Sequence, residues 1–377
     1  LELKTKIIKK KLEDIQNQFK ETSNISEEVI NFIANESKTN IRELIGVLNR
    51  VVTFSRIHKK DLTISDCKNI LKDVFKLGLA DFSNNYIIDT KCGSGIDIWK
   101  ALTNSCLGNI VWLNDQFSSD FNFKLPDPTS VDTLNELSKL CIEHNSIAFS
   151  NDPDADRHII FDENGEKISP EKLTAIIIHY CIKENILIES VSTTLSNSIL
   201  VKKICEKYNI PLNETNIGFK FFTPFLKESS KNNKLSIGVE SSGGFSISFH
   251  TFDKCGFMPI LIILGIMKKE HLQLSELSKN IDKIIAPYSF IEDSVKLVNS
   301  YNDISQILSS NKNQITKSID IPISKINTDD GLKIIFQNDD WVLCRASGTE
   351  PLIRIYAESR DKDRAIHYIK IIKRIFE

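Results

Sequence analysis

From Tyr86 onward, short apolar segments alternate with helical ones, and this alternation limits the fold more than any other feature of the 377-residue chain. Tyr86–Asp89 reads as a strand, a helical pattern follows Gly95, Ile110–Leu113 reads as a second strand, Val131–Ile142 as a helix and Ile147–Phe149 as a third strand. Strands joined by crossover helices predict a parallel α/β sheet. A second series runs from Ile168 to about Ile284, with strands near Ser190–Thr194 and Leu235–Val239. Beyond it the pattern becomes a hairpin over Gly331–Ala346 turning at Asn338-Asp339-Asp340, a strand at Ile353–Glu358 and a helix from Asp361, which predicts a small α+β domain. The first 77 residues hold no proline and one glycine, Gly46, and carry helical stripes such as Ile41, Leu44, Ile45, Leu48, Val51 and Val52. The expected fold class is therefore α/β: a small helical head at 1–78, two mixed α/β domains at 79–164 and 165–284, and a C-terminal α+β domain at 285–377.

Charge and cysteine usage exclude several function classes. Lys plus Arg is 48 against 50 for Asp plus Glu, a balance that argues against a nucleic-acid-binding surface or a polybasic membrane tether. The most apolar stretch, Phe257–Met267, contains Pro259 and Gly265 and is shorter than the roughly 18–20 residues a bilayer span needs. Lys and Glu stand at the N-terminus where a signal peptide needs an apolar run, so secretion is not expected. The eight cysteines form no C-x-x-C pair, which disfavours a zinc ribbon or redox dithiol and fits the reduced thiols of a cytoplasmic protein.

Three loops can carry chemistry. In Asp152-Pro153-Asp154-Ala155-Asp156-Arg157 three carboxylates alternate between two expected strands. Such crowding favours a neutralising cation, and hard oxygen donors suit Mg²⁺; Arg157 could hold a phosphate beside it. An exposed acidic turn is the plainer alternative. An EF-hand loop is excluded, because Arg157 sits where that loop requires glycine. The second loop is Arg345-Ala346-Ser347-Gly348-Thr349-Glu350-Pro351 with Arg354 after it; its arginines, hydroxyls and glycine can converge on an anion, or simply turn a hairpin end. The third is Gly238-Val239-Glu240-Ser241-Ser242-Gly243-Gly244. Glu240 and Ser242 would point the same way from an extended segment and could grip sugar hydroxyls. Gly218-Phe219-Lys220 precedes it and brings one more cation.

These loops, in this order, resemble those of the α-D-phosphohexomutase family, the phosphoglucomutases and phosphomannomutases, from about Leu79 to Glu377. The resemblance implies that Asp152, Asp154 and Asp156 are Mg²⁺ ligands and that Arg157 and Lys220 serve catalysis. It also implies that Glu240 and Ser242 contact sugar hydroxyls, and that Arg345, Ser347, Gly348, Thr349 and Arg354 bind the phosphate of a phosphosugar. Cys255 departs from the family, which usually has Asp before that glycine; a thiol is a poorer helix cap. A larger departure is that no Ser-His-Asn-Pro occurs in the chain, whereas the family's first domain carries its phosphoserine in that context. The expectation is domains two to four without the first, inactive alone and dependent on a separate serine-bearing domain.

The head, through Asn40-Ile41-Arg42-Glu43-Leu44-Ile45-Gly46-Val47-Leu48-Asn49-Arg50, is similar to the helical lid of the bacterial replication initiator DnaA over about residues 1–75. The resemblance implies that Arg42 reaches ATP phosphates. The chain has no G-x-x-x-x-G-K-[ST] loop, so Arg42 is read as a helix-face ion-pair partner and the whole as a junction of two incomplete proteins, which a gene fusion or a sequence assembly artefact would each produce. An assembly or regulatory fragment of such an initiator, or a non-functional fusion, is the alternative to a mutase.

Overall fold

The computed structural model describes residues 9–10, 69–78, 85–104, 108–118, 120–296, 304–347 and 352–376. Every sheet lies in the unit Lys68–Glu377; of the unit Leu1–Cys67 only Lys9 and Lys10, both helical, are described. The helices expected over 1–78, Arg42 included, lie outside the described residues except for the stretch from Asn69. That stretch, a π-helical turn at Ile70–Val74 and the residues after it, packs into the body. Leu71 and Phe75 are fully buried, the Tyr180 hydroxyl donates to the Phe75 carbonyl at 2.8 Å, and Leu77 lies so close to Gly265 that a Cβ there would meet it at 3.0 Å.

The first sheet follows the expected alternation. Its elements are β1 (Tyr86–Asp89), α1 (Gly95–Thr103), β2 (Ile110–Leu113), α2 (Val131–His144), β3 (Ile147–Asn151), β4 (His158–Phe161) and β5 (Lys167–Ile168). The strand order is β2-β1-β3-β4-β5, with β1 parallel to β2 and β3 and the last two strands antiparallel. Helix α2 buries Leu137 and Cys141 against Ile87, Ala148, Ile159 and Phe161. Strand residues alternate between faces, so Phe149 points the other way and stacks on Trp99 of α1, centroids 4.7 Å apart. The acidic loop joins β3 to β4, at the carboxyl end of the parallel strands, where α/β sheets place their sites.

The second sheet comprises α3 (Pro170–Lys183), β6 (Ile188–Thr194), α4 (Ile199–Tyr208), β7 (Leu212–Thr215), α5 (Thr223–Lys231), β8 (Leu235–Val239), β9 (Phe245–Ile247), α6 (Phe257–Glu270) and α7 (Leu274–Ile284). Its order is β7-β6-β8-β9, with β6 parallel to β7 and β8. Sequence explains the helix starts. Ser169 caps α3 by accepting the Lys172 amide at 3.1 Å, with Pro170 in the first turn, and Gln273 and Glu276 form a capping box on α7. The apolar stretch of α6 is buried from Phe257 to Met267 as a core helix. Among the described residues no helix is long and apolar enough to cross a membrane.

The third sheet is antiparallel, in the order β10-β14-β13-β12-β11. It is built from β10 (Ser289–Lys296), α8 (Ile304–Ser318), β11 (Ile323–Asn327), β12 (Leu332–Phe336), β13 (Trp341–Ala346), β14 (Leu352–Ser359) and α9 (Lys362–Phe376). Both helices contribute to one core with its strands, through Leu308 and Ile315 and through Tyr368, Ile369 and Ile372. The β12–β13 hairpin turns where expected, with Asp339 at φ +69°. Buried polar contacts fasten this domain to the second. Glu358, 1% exposed, accepts the Ile199 amide at 2.8 Å, the Trp341 indole N–H at 2.6 Å and the Ser198 hydroxyl, and so caps α4 from across the boundary. Lys333 donates to the Leu195 carbonyl at 2.6 Å and to Glu214 at 2.9 Å.

Candidate active site

The acidic loop is held at both ends. The Trp99 indole donates to Asn151 Oδ1 at 2.7 Å, and Asn151 Nδ2 donates to the Arg157 carbonyl at 2.8 Å, which closes the loop on itself. Gly93 lies against its middle, where a Cβ would meet the Pro153 carbonyl at 2.3 Å, and the Ser94 amide donates to that carbonyl at 2.8 Å. Ala155 takes φ +57° to complete the turn. The result brings oxygens of Asp152, Asp154 and Asp156 within 4.8 Å of one another, with Asp152 buried and Asp154 exposed.

Protein cations already occupy part of this cluster. Arg157 Nε lies 2.6 Å from Asp152 Oδ2, its amide donates to Asp152 Oδ1 at 2.9 Å, and Nη1 stands 3.8 Å from Asp127. Its guanidinium therefore faces carboxylates. Lys254 Nζ lies 2.7 Å from Asp156 Oδ2. Burial pushes the Asp152 and Asp156 carboxyls above their ordinary range, against the pull of Arg157 on the first and Lys254 on the second. Three hard oxygen donors, two of them held in a poorly solvated place, fit a divalent cation.

The sugar loop corrects one expectation. Strand β8 ends at Val239, and Glu240 to Gly244 form a tight turn closed by the Gly243 amide on the Glu240 carbonyl at 3.0 Å. Two-residue alternation does not apply to a turn, so Glu240 is buried while Ser242 is exposed; the Ser242 hydroxyl still reaches Glu240 Oε2 at 3.5 Å. Burial raises the Glu240 carboxyl, with Lys254 opposing and Asp156 reinforcing the shift. Burial lowers the Lys254 ammonium less than Asp156 and Glu240 raise it, and the balance is upward. The acidic loop is tied at its end to the 240–244 turn by the His158 amide on the Gly243 carbonyl at 3.1 Å, and at its middle to the start of α6 by the Gly256 amide on the Ala155 carbonyl at 3.0 Å.

Cys255 does not disturb the helix that follows it. Helix α6 runs unbroken from Phe257, and the half-buried Cys255 donates its amide to the Phe245 carbonyl at 2.8 Å just before it. Lys220 stands exposed on the 3-10 turn Phe219–Phe221, its ammonium 5.2 Å from the Phe221 ring. In the C-terminal loop Arg345 Nη2 lies 3.5 Å from Asp330 Oδ1, Arg354 lies 3.0 Å from Glu292, and the buried Ser347 donates its amide to the Leu352 carbonyl at 2.9 Å. Gly348 and Thr349 lie outside the described residues.

A continuous run of contacts joins these loops across all three sheets. Arg345 meets Asp330, whose second oxygen accepts the Ile217 amide at 2.9 Å; the amide of the next residue, Gly218, is near enough to the Glu240 carboxyl to favour its charged form. Lys254 then stands between Glu240 and Asp156. Lys254, Asp127 and Asp330 escape sequence reasoning, since single charged residues outside a motif carry no local pattern. Lys254 does stand beside Cys255, the one departure noted there.

Comparison with known proteins identifies the domains that carry these loops. Residues 73–165, 169–284 and 296–373 match the family models for the α/β/α domain II, the α/β/α domain III and the C-terminal domain of phosphoglucomutase/phosphomannomutase. A phosphoglucosamine/phosphogalactosamine mutase of Sulfurisphaera tokodaii is 28% identical over 272 residues, covering 71% of this chain and 56% of the relative. A phosphoglucomutase/phosphomannomutase of Thermococcus kodakarensis is 27% identical over 297 residues, covering 77% of this chain and 60% of the relative. The chain thus spans less than two thirds of these relatives' length. The fold is also that of a phosphoglucomutase/phosphomannomutase family protein from Burkholderia thailandensis, with TM-score 0.64, 13% identity, and 89% and 70% of the two chains covered. From residue 73 to residue 373 the chain is built of domains II, III and IV of the phosphoglucomutase/phosphomannomutase family.

Proposed function

We propose that this chain supplies the metal, sugar and phosphate loops of a phosphohexomutase, an isomerase that moves a phosphoryl group between two positions of a hexose or hexosamine phosphate. The run of contacts from Arg345 through Asp330, Glu240 and Lys254 to Asp156 carries the reading, because it ties three motif loops to one another. Arg345, Arg354 and Ser347, with Gly348 and Thr349, hold the phosphate that is not being transferred. Glu240, buried and bordered by Ser242, orients sugar hydroxyls. Lys254, held between two carboxylates, is placed to keep a proton near them, and Lys220 adds charge at the same edge. Asp152, Asp154 and Asp156 would hold Mg²⁺, which when bound supplies positive charge against the oxygens of the transferring phosphoryl group. Arg157 keeps Asp152 oriented.

The reaction needs a covalent carrier. Phosphoserine donates to the sugar phosphate, the bisphosphate reorients, and the second phosphate returns to serine. No serine here stands in a Ser-His-Asn-Pro context. We assign that role to a serine-bearing domain outside these 377 residues, so these residues alone are inactive. The six free cysteines among the described residues suit a reducing cytoplasm. A coupled assay with Mg²⁺, glucose 1,6-bisphosphate and glucose, mannose or glucosamine phosphates should show no turnover by the chain alone, and turnover when a serine-bearing first domain is added. Unaided turnover near ~10 s⁻¹, ordinary for an enzyme, would mean that a residue here is the carrier. Failure of every added first domain would remove the mutase reading.

The Asn40–Arg50 pattern favours a second reading for the head, a regulatory segment of initiator type. ATP binding by the full chain that is lost in Arg42→Ala would favour it; no binding would remove it.

A further inference from the structure

Asp330 stands at the junction of two domains with a partner in each. Its Oδ1 lies 3.5 Å from Arg345 Nη2, and its Oδ2 accepts the Ile217 amide at 2.9 Å. Its position is fixed by the next residue. Gly331 takes φ +100°, and a Cβ there would meet the Cys344 carbonyl at 2.4 Å and Arg345 Cβ at 2.8 Å, so the turn lies directly on the arginine. Among the described residues the pairing leaves the Arg345 Nε donor unused. A distance of 3.5 Å to one terminal nitrogen is a charge contact well short of a bidentate fork, and among the described residues the buried Arg345 Nε has no hydrogen-bond partner. A guanidinium with one long carboxylate contact and an unpartnered N–H is poised to exchange toward a better anion.

We propose that Asp330 is the resident counter-ion of Arg345, which sets phosphate affinity by competing for the guanidinium. The proposal rests on the reading of Arg345 as a phosphate ligand. Phosphate offers more acceptor oxygens and more charge than one carboxylate, so it takes the arginine at the cost of Asp330's ion pair. The amide that Asp330 holds belongs to Ile217, which precedes the Gly218–Lys220 turn, so the exchange is transmitted toward Glu240 and Lys220.

Asp330→Asn separates charge from architecture. The amide keeps an oxygen to accept the Ile217 N–H and loses the negative charge that opposes phosphate. Inorganic phosphate is titrated by calorimetry into the full chain, Asp330→Asn, Asp330→Ser and Arg345→Ala, each first confirmed as folded by its urea transition. The expected result is phosphate binding roughly three- to tenfold tighter in the two Asp330 variants, the size of one removed like charge in a partly screened site, and binding lost in Arg345→Ala. Gain of binding by the Asp330 variants where the parent shows none also supports the proposal. Binding lost in Arg345→Ala but unchanged or weaker in the Asp330 variants overturns the counter-ion role and leaves the phosphate loop standing. Arg345→Ala binding as the parent does, or no binding by parent and Asp330 variants alike, overturns both.

Discussion

Lys254 Nζ lies 2.7 Å from Asp156 Oδ2, and this contact joins the acidic loop of one domain to the segment before α6 of the next. The lysine also counters Glu240, so one cation serves two carboxylates from different domains. Residues 253–256 reach this point because Gly256 backs onto the acidic loop, where a Cβ would meet Asn151 Nδ2 at 2.3 Å.

Lys254→Met should therefore leave Asp156 and Glu240 facing each other without a counter-charge. Both carboxyls are already raised by burial, so losing the lysine raises them further. The cost at pH 7.5 is about 1–3 kcal/mol of folding stability, the range for stranding part of a buried charge group. It shrinks as pH falls, because carboxyls raised by burial take up protons sooner than ordinary ones, and it is offset by millimolar Mg²⁺. Urea unfolding at pH 7.5 and at lower pH reads this directly; equal stability of parent and variant at pH 7.5 would contradict it.

Asp154 is the exposed member of the trio, and it is the least engaged by protein cations. Asp154→Asn should abolish or greatly weaken Mg²⁺ binding while changing folding stability by less than about 0.5 kcal/mol, as for an ordinary surface substitution. Asp253→Asn, a nearby exposed carboxylate outside the loop, serves as control. Calorimetry giving the same Mg²⁺ affinity for Asp154→Asn and the parent would remove the loop as a metal site.

The parallel core of both α/β domains was legible because it depends on local patterns. Tyr86–Asp89 and Ile110–Leu113 form strands with the predicted bounds, as does Leu235–Val239. The three motif loops were legible because glycine, proline and clustered charge are themselves the signal. Partnerships were not. The guanidinium of Arg157 lies on Asp152 and approaches Asp127, and nothing in the chain order of residues 127 and 157 records their approach. The edge strands β10 and β11 were also missed; their outward residues are charged and polar, and their pairing is set by the neighbouring strand.

Glu358 links stability to pH. Burial pushes its carboxyl up to about 7 from an ordinary value near 4.5, while its bonds to Ile199, Ser198 and Trp341 pull the other way. The folded state therefore holds a proton that the unfolded chain releases. That contribution is complete below the ordinary value and is lost as pH rises through about 7, amounting to roughly 3 kcal/mol between pH 4 and pH 8. Glu171, also raised by burial, acts in the same direction. Glu358→Gln keeps an acceptor and cannot titrate, so its unfolding free energy should fall less steeply from pH 5 to pH 8. Parallel pH curves for parent and variant would refute the assignment.

Gly243 sits where the two loops meet, and two independent facts forbid a side chain there. Its φ of +96° is a backbone region that L-residues rarely adopt, and a Cβ would meet the His158 carbonyl at 2.4 Å and its amide nitrogen at 3.0 Å. Neither obstacle is a flexible side chain, so relief requires the β4 backbone or the sugar loop to move. Moving either one breaks the bond from the His158 amide to the Gly243 carbonyl and shifts Arg157, which pairs with Gly244 across the same junction. Gly243→Ala should cost about 2–4 kcal/mol of stability and weaken Mg²⁺ binding, because Arg157 is the residue that orients Asp152. Gly78→Ala provides the contrast: a Cβ there meets nothing within 4 Å, and the change should be neutral within about 0.5 kcal/mol. Urea transitions and Mg²⁺ calorimetry on the two variants test both halves. A Gly243→Ala chain as stable as Gly78→Ala, with undiminished Mg²⁺ affinity, would show that the junction yields without cost and that the metal loop does not depend on it.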